Sequence, residues 1–150
     1  LLSANENAVP LLLKYPKQIN WIMFSSNKNA ISVLEENLHK VNWSKLSLNQ
    51  NAIHLLKQYP EKIDWNELSL NQNAIDLLEE HPEKINWDNL CVNENAMHLL
   101  EKNIRKINWK RISRNPGIFE LDYEALDKRS NIFKEELMQR ALHPDRTINL

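Results

Sequence analysis

Residues Leu68 to Trp87 read LSLNQNAIDLLEEHPEKINW, and this stretch returns with small edits every 22 residues. Tryptophan marks the period. Trp21, Trp43, Trp65, Trp87 and Trp109 stand at one fixed interval and are all the tryptophans of the chain. The other columns keep step. Asn-x-Asn pairs fall at Asn5/Asn7, Asn27/Asn29, Asn49/Asn51, Asn71/Asn73 and Asn93/Asn95, each followed by Ala8, Ala30, Ala52, Ala74 or Ala96. Leu12, Leu34, Leu56, Leu78 and Leu100 form an apolar column, and Leu2, Phe24, Leu46, Leu68, Leu90 and Ile112 form another. Ile19, Val41, Ile63, Ile85 and Ile107 precede each Trp by two residues. Self-similarity at a period of roughly 20–50 residues is the signature of stacked repeats. Each unit is too small to bury its apolar face alone, so neighbours share a core.

The local pattern is helical. Asn49 suits an N-cap, and at the matching position Asn115 is followed by Pro116, the residue favoured at a first helical position. A helix from about Gln50 to Tyr59 is expected, stopped by Pro60, because the residue before proline is pushed out of the α region. Pro16 and Pro82 act alike, whereas Leu38 and Ile104 replace the proline in two units, where the helix is expected to run on slightly. A second, shorter helix is expected after each of Asn20, Asn42, Asp64, Asn86 and Asn108, all able to cap. Nothing alternates with period two. The fold class is therefore all-α: an α-solenoid of 22-residue helix–turn–short-helix repeats. Residues 1–118 hold five full units and the start of a sixth. The first unit opens directly at Leu1, so a natural N-terminus further upstream is expected. In residues 119–150, Asp122 is a plausible cap, and Tyr123, Leu126, Phe133, Leu137 and Ala141 fit one helical face up to Pro144, a C-terminal capping helix.

Composition excludes several functions. The single glycine, Gly117, leaves no phosphate-cradling loop and no dinucleotide fold. A net charge of −1 creates no global field toward nucleic acid or anionic membranes. No apolar run approaches the length of a membrane span. The single cysteine, Cys91, cannot form an internal disulfide.

The pattern N-x-N-A-I-x-L-L-x-x-x-P-x-x-I-x-W-x-x-L-S resembles a short helical repeat of proteins from large DNA viruses related to mimiviruses. There a proline commonly stands between the asparagines; here Pro116 keeps that proline after Asn115, and the other Asn-x-Asn pairs lack it. The tail EELMQRALHP, from Glu135 to Pro144 and followed by Asp145 and Arg146, resembles the ends of such proteins too. The resemblance implies a helical repeat fold and a place in the infected cell's cytoplasm or the virion. It implies no catalytic residue.

Most recurring residues have a structural role that outweighs a chemical one. The Trp column could stack bases, but its company of Ile and Leu points to a large core residue wedged between units, its indole N–H bonded to a carbonyl. The Asn columns read as caps and inter-repeat hydrogen bonds. His54 and His98 share a column two units apart, too far to ligate one metal, and His39, His81 and His143 gain no better grouping. Glu35–Glu36, Glu79–Glu80 and Glu135–Glu136 are sequence neighbours and so do not face each other on a helix. Cys91 occupies the column of Ser25, Ser47, Ser69 and Ser113, a small packed residue. Two charge features remain: a lysine line (Lys40, Lys62, Lys84, Lys106, with Gln18 in the first unit), and a basic cluster of Lys102, Arg105, Lys106, Lys110, Arg111 and Arg114. The cluster is the candidate binding surface. The expectation is a monomeric, non-enzymatic scaffold for another protein, without cofactor, metal or membrane contact. Nucleic-acid binding through the lysine line and the cluster is the alternative.

Overall fold

The computed structural model describes residues 2–120 and Lys128. Among them every regular element is a helix or a helical turn. The chain divides into two compact units, Leu1–Pro116 and Gly117–Leu150, and the repeats occupy the first. The expected capping helix, with its Glu135–Glu136 pair and His143, lies outside the described residues.

Each repeat contributes a six-residue helix and then one of four or five residues. The six-residue helices are α1 (Val9–Lys14), α3 (Ile31–Glu36), α5 (Ile53–Gln58), α7 (Ile75–Glu80) and α9 (Met97–Lys102). The shorter helices alternate with them: α2 (Trp21–Ser25), α4 (Trp43–Ser47), α6 (Trp65–Leu68), α8 (Trp87–Leu90) and α10 (Trp109–Ile112). Helices this short are unstable alone and rely on packing. The short helices start as the sequence predicts. Asn20, Asn42, Asp64, Asn86 and Asn108 each accept a first-turn backbone N–H with the side-chain oxygen.

The longer helices are shorter than expected. The segment around Asn49 is a turn up to Ala52, and α5 begins only at Ile53. The Asn49 side-chain oxygen accepts from the Asn51 N–H, two residues on, at 3.0 Å. Asn5, Asn27, Asn71 and Asn93 do the same. Such an i to i+2 bond tightens the chain into a turn before the helix starts. The two units without proline do not run on either; α3 and α9 have the same six residues as their neighbours. There Asn37 and Asn103 donate their side-chain amides to the carbonyls of Val33 and Leu99, both at 2.9 Å. The side chain thereby takes the carbonyl that a further helical N–H would have used.

The core is made by the two leucine columns and the alanines. Phe24, Leu46, Leu68 and Leu90 are wholly buried, as are Leu34, Leu56, Leu78 and Leu100. Each such side chain contributes about 1.5–3 kcal/mol. Ala30, Ala52, Ala74 and Ala96 are buried with them. Contacts join α2 to α4 and α4 to α6.

Polar columns tie each unit to the one before. Asn71 donates both amide hydrogens, to the Ser47 carbonyl at 2.9 Å and the Asn49 carbonyl at 3.0 Å. Asn27, Asn49, Asn93 and Asn115 repeat this pair of bonds one unit apart. The second asparagines add one bond each: Asn29 to Glu6, Asn51 to Lys28, Asn73 to Gln50 and Asn95 to Gln72, all at backbone carbonyls. The serine column forms a third line. Ser47 Oγ donates to the Trp43 carbonyl and accepts the Asp64 N–H of the next unit. Ser25 and Ser69 are bonded alike. Among the described residues no buried side-chain polar atom is left without a partner, as a buried polar network requires.

Candidate interaction surface

The tryptophans lie at the surface. Trp21, Trp43, Trp65 and Trp87 are half-buried and Trp109 is 61% exposed. Among the described residues no indole N–H donates to a protein acceptor. The expectation of a core wedge is thus corrected; the leucine columns fill that place. Trp instead supplies a broad flat face that the lysine line covers. The ammonium group of Lys40 sits 4.7 Å from the Trp21 ring centre, Lys84 lies 4.7 Å from Trp65, and Lys106 lies 4.3 Å from Trp87. A cation above an indole face is drawn to its negative quadrupole, and the lysine stem covers apolar ring surface. Aromatic neighbours complete the cover, with Tyr59 at 5.3 Å from Trp43 and His81 at 5.0 Å from Trp65. Three members of the lysine line therefore pack against the preceding unit.

The basic cluster is brought to the surface in two parts. Lys102, Arg105 and Lys106 line an open cleft with Glu101, Asn103 and Ile104. Lys110, Arg111 and Arg114 line another with Val92. Three of the six are engaged. Lys102 lies 3.8 Å from Glu79, Lys106 covers Trp87, and Arg111 donates to the Asn89 side chain at 3.2 Å. Arg105, Lys110 and Arg114 are exposed, and their side chains make no ion pair or hydrogen bond among the described residues.

The histidine column is also structural. His54 bonds Glu35 at 2.7 Å and His98 bonds Glu79 at 2.9 Å, each reaching back one unit. Lys57 lies 3.7 Å from Glu80, so this member of the second glutamate pair also has a partner. Among the described residues no three metal-ligating side chains are gathered, and no helix is long and apolar enough to cross a membrane.

Cys91 is fully buried in the serine column, and its sulfur accepts the Asn108 N–H at 3.4 Å. Burial pushes its thiol above the ordinary value, and the Asn108 N–H offsets part of that. A buried, protonated thiol is a poor nucleophile.

Comparison with known protein families, with curated proteins and with solved structures found no match to this chain.

Proposed function

We propose that the chain is a non-enzymatic scaffold whose units stack as an α-solenoid and which binds another protein through the 102–114 surface. One observation carries this reading. The recurring asparagines, serines, leucines and alanines are taken up by bonds and packing within and between units, while Arg105, Lys110 and Arg114 vary between repeats, stand exposed and have no partner among the described residues. A partner presenting carboxylates would pair with them. The resemblance to repeat proteins of large DNA viruses supports a helical scaffold and adds no chemistry.

A second reading is nucleic-acid binding. It is favoured by the exposed Trp109 next to Lys110, an aromatic face for a base beside a cation for a phosphate. The charge-reversal variant Arg105→Glu/Lys110→Glu/Arg114→Glu tests both, provided it melts as the parent does. Loss of a protein partner captured by the parent, with no oligonucleotide binding at low salt, supports the first reading. Oligonucleotide binding that weakens steeply with salt and is lost in the variant replaces it with the second. A partner still captured by the variant ends the role of this surface.

A further inference from the structure

Ser113 departs from its column. Ser25, Ser47 and Ser69 are wholly buried, and each hydroxyl donates to the Trp carbonyl four residues back and accepts an N–H of the next unit. Ser113 is exposed. Its hydroxyl donates instead to the Lys110 carbonyl, at 2.9 Å, and accepts no N–H among the described residues. The backbone has let go as well. The N–H groups of Ser69 and Cys91 reach the Trp65 and Trp87 carbonyls at 3.1 Å, whereas that of Ser113 bonds the Arg111 carbonyl. Ser113 and Arg114 form a turn beyond α10, and the Asn115 amide after them is anchored on the Cys91 and Asn93 carbonyls. The surrounding charge differs too. Lys110 and Arg111 stand three and two residues before Ser113, and Arg114 follows it directly. The same two positions hold Ser44 and Lys45 before Ser47, and Asn66 and Glu67 before Ser69. Ser32, the other exposed serine among the described residues, has Asn29 and Ala30 there, with Glu35 and Glu36 downstream.

We propose that Ser113 is a phosphorylation site for a serine kinase that selects basic residues. Such a kinase reads its substrate by charge, pairing acidic side chains beside its active site with cations that precede the acceptor serine. Lys110 is exposed and its side chain makes no ion pair or hydrogen bond among the described residues; Arg111 gives up one bond, to Asn89 at 3.2 Å. The kinase must also draw the acceptor segment out of local structure. Here that opens one turn at the end of a four-residue helix, a low-stability opening. The buried serines would have to break a bond between units as well. In the transfer, Ser113 Oγ attacks the γ-phosphorus of ATP. The new O–P bond forms as the bond from that phosphorus to the bridging oxygen breaks, ADP leaves, and the hydroxyl proton passes to a carboxylate base of the kinase. The phosphate brings a charge of about −1.5 to −2 at neutral pH, which cancels most of the positive charge of Lys110, Arg111 and Arg114. Lys110 and Arg114 are the side chains placed to pair with its oxygens. The modification does not depend on what the 102–114 surface binds. Where that surface holds a carboxylate-bearing protein, the phosphate is the means of release.

The folded chain is incubated with ATP, magnesium and the catalytic subunit of a kinase that selects arginine or lysine three and two residues before serine. Tandem mass spectrometry then locates the phosphate. It is expected on Ser113, with Ser32 and the buried serines unmodified, and Ser113→Ala should lose it. Lys110→Ala should slow incorporation at Ser113 by about tenfold or more. That variant should melt as the parent does, and Lys110→Arg should restore the rate, as a change in packing alone would not. A folded parent that stays unlabelled at Ser113 overturns the inference. So does label that reaches Ser113 only after the chain is heat-unfolded, or at the same rate in Lys110→Ala as in the parent.

Discussion

Asn71 shows how much one recurring residue carries. Its amide serves two carbonyls of the preceding unit, and its oxygen holds the turn of its own. Asn71→Ala takes the side-chain donor from the Ser47 carbonyl, leaves the Asn49 carbonyl with the Ala52 N–H alone, and removes the acceptor of the Asn73 N–H; an unsatisfied buried group costs about 1–3 kcal/mol. We expect Asn71→Ala to destabilise by roughly 3 kcal/mol in total. Asn73→Ala, which removes one exposed bond, should cost under about 1 kcal/mol. Denaturant titration of the two variants checks the contrast. Cys91 makes a different prediction. Its thiol ionises at higher pH in the folded chain than when unfolded, so above about pH 8.5 the unfolded state binds fewer protons and stability falls as pH rises. Cys91→Ser removes that alkaline loss and gives Asn108 a better acceptor. Melting curves at pH 7 and pH 10 should differ less for the variant than for the parent. The asparagine roles were legible in the sequence because a short side chain that both accepts and donates is what caps and ladders need. The tryptophan role was not. A strict column shows that an environment repeats and leaves open whether it is buried. The Lys that covers each ring lies 19 residues on, a separation that means contact only once successive units are known to lie side by side.

Helix ends are written in two dialects. Three units end the longer helix with a residue followed by proline, Tyr15, Tyr59 or His81; two end it with Asn37 or Asn103, whose side chains fold back onto the helix. The first device is legible in the sequence and the second is not, because an asparagine stop depends on a side-chain bond and not on a steric ban. The equivalence has a consequence. Pro60 begins a helical turn, and Ile104 begins the matching one. Its N–H makes no backbone bond outside that turn. Ile104→Pro should therefore fold with stability within about 1 kcal/mol of the parent, since proline costs little where φ suits and no N–H is lost. Leu100→Pro, inside α9, should cost about 3 kcal/mol or more. Thermal unfolding of both variants tests whether the two stops are interchangeable.

At the scale of the molecule, the proposed stacking makes the period of 22 residues the unit of stability. The all-α class was readable from columns of Asn, Ala, Leu and Trp. The basic cluster was readable as charge, but its division into two clefts was not. That division follows from placing Lys102 at the end of α9 with Arg105 and Lys106 in the helical turn after it, and Lys110 and Arg111 in α10 with Arg114 just beyond it. Stacked units imply that any whole unit can be removed and its neighbours rejoined, because Asn93 would find the carbonyls of Ser47 and Asn49 where it now finds those of Ser69 and Asn71. The most direct measurement is circular dichroism with thermal unfolding of two chains, one lacking residues 69–90 and one lacking residues 69–79. The full-unit deletion should keep the helical signal per residue and melt cooperatively at a lower temperature, while the half-unit deletion should lose both signal and transition. Equal behaviour of the two chains, or collapse of the full-unit deletion, would contradict the account.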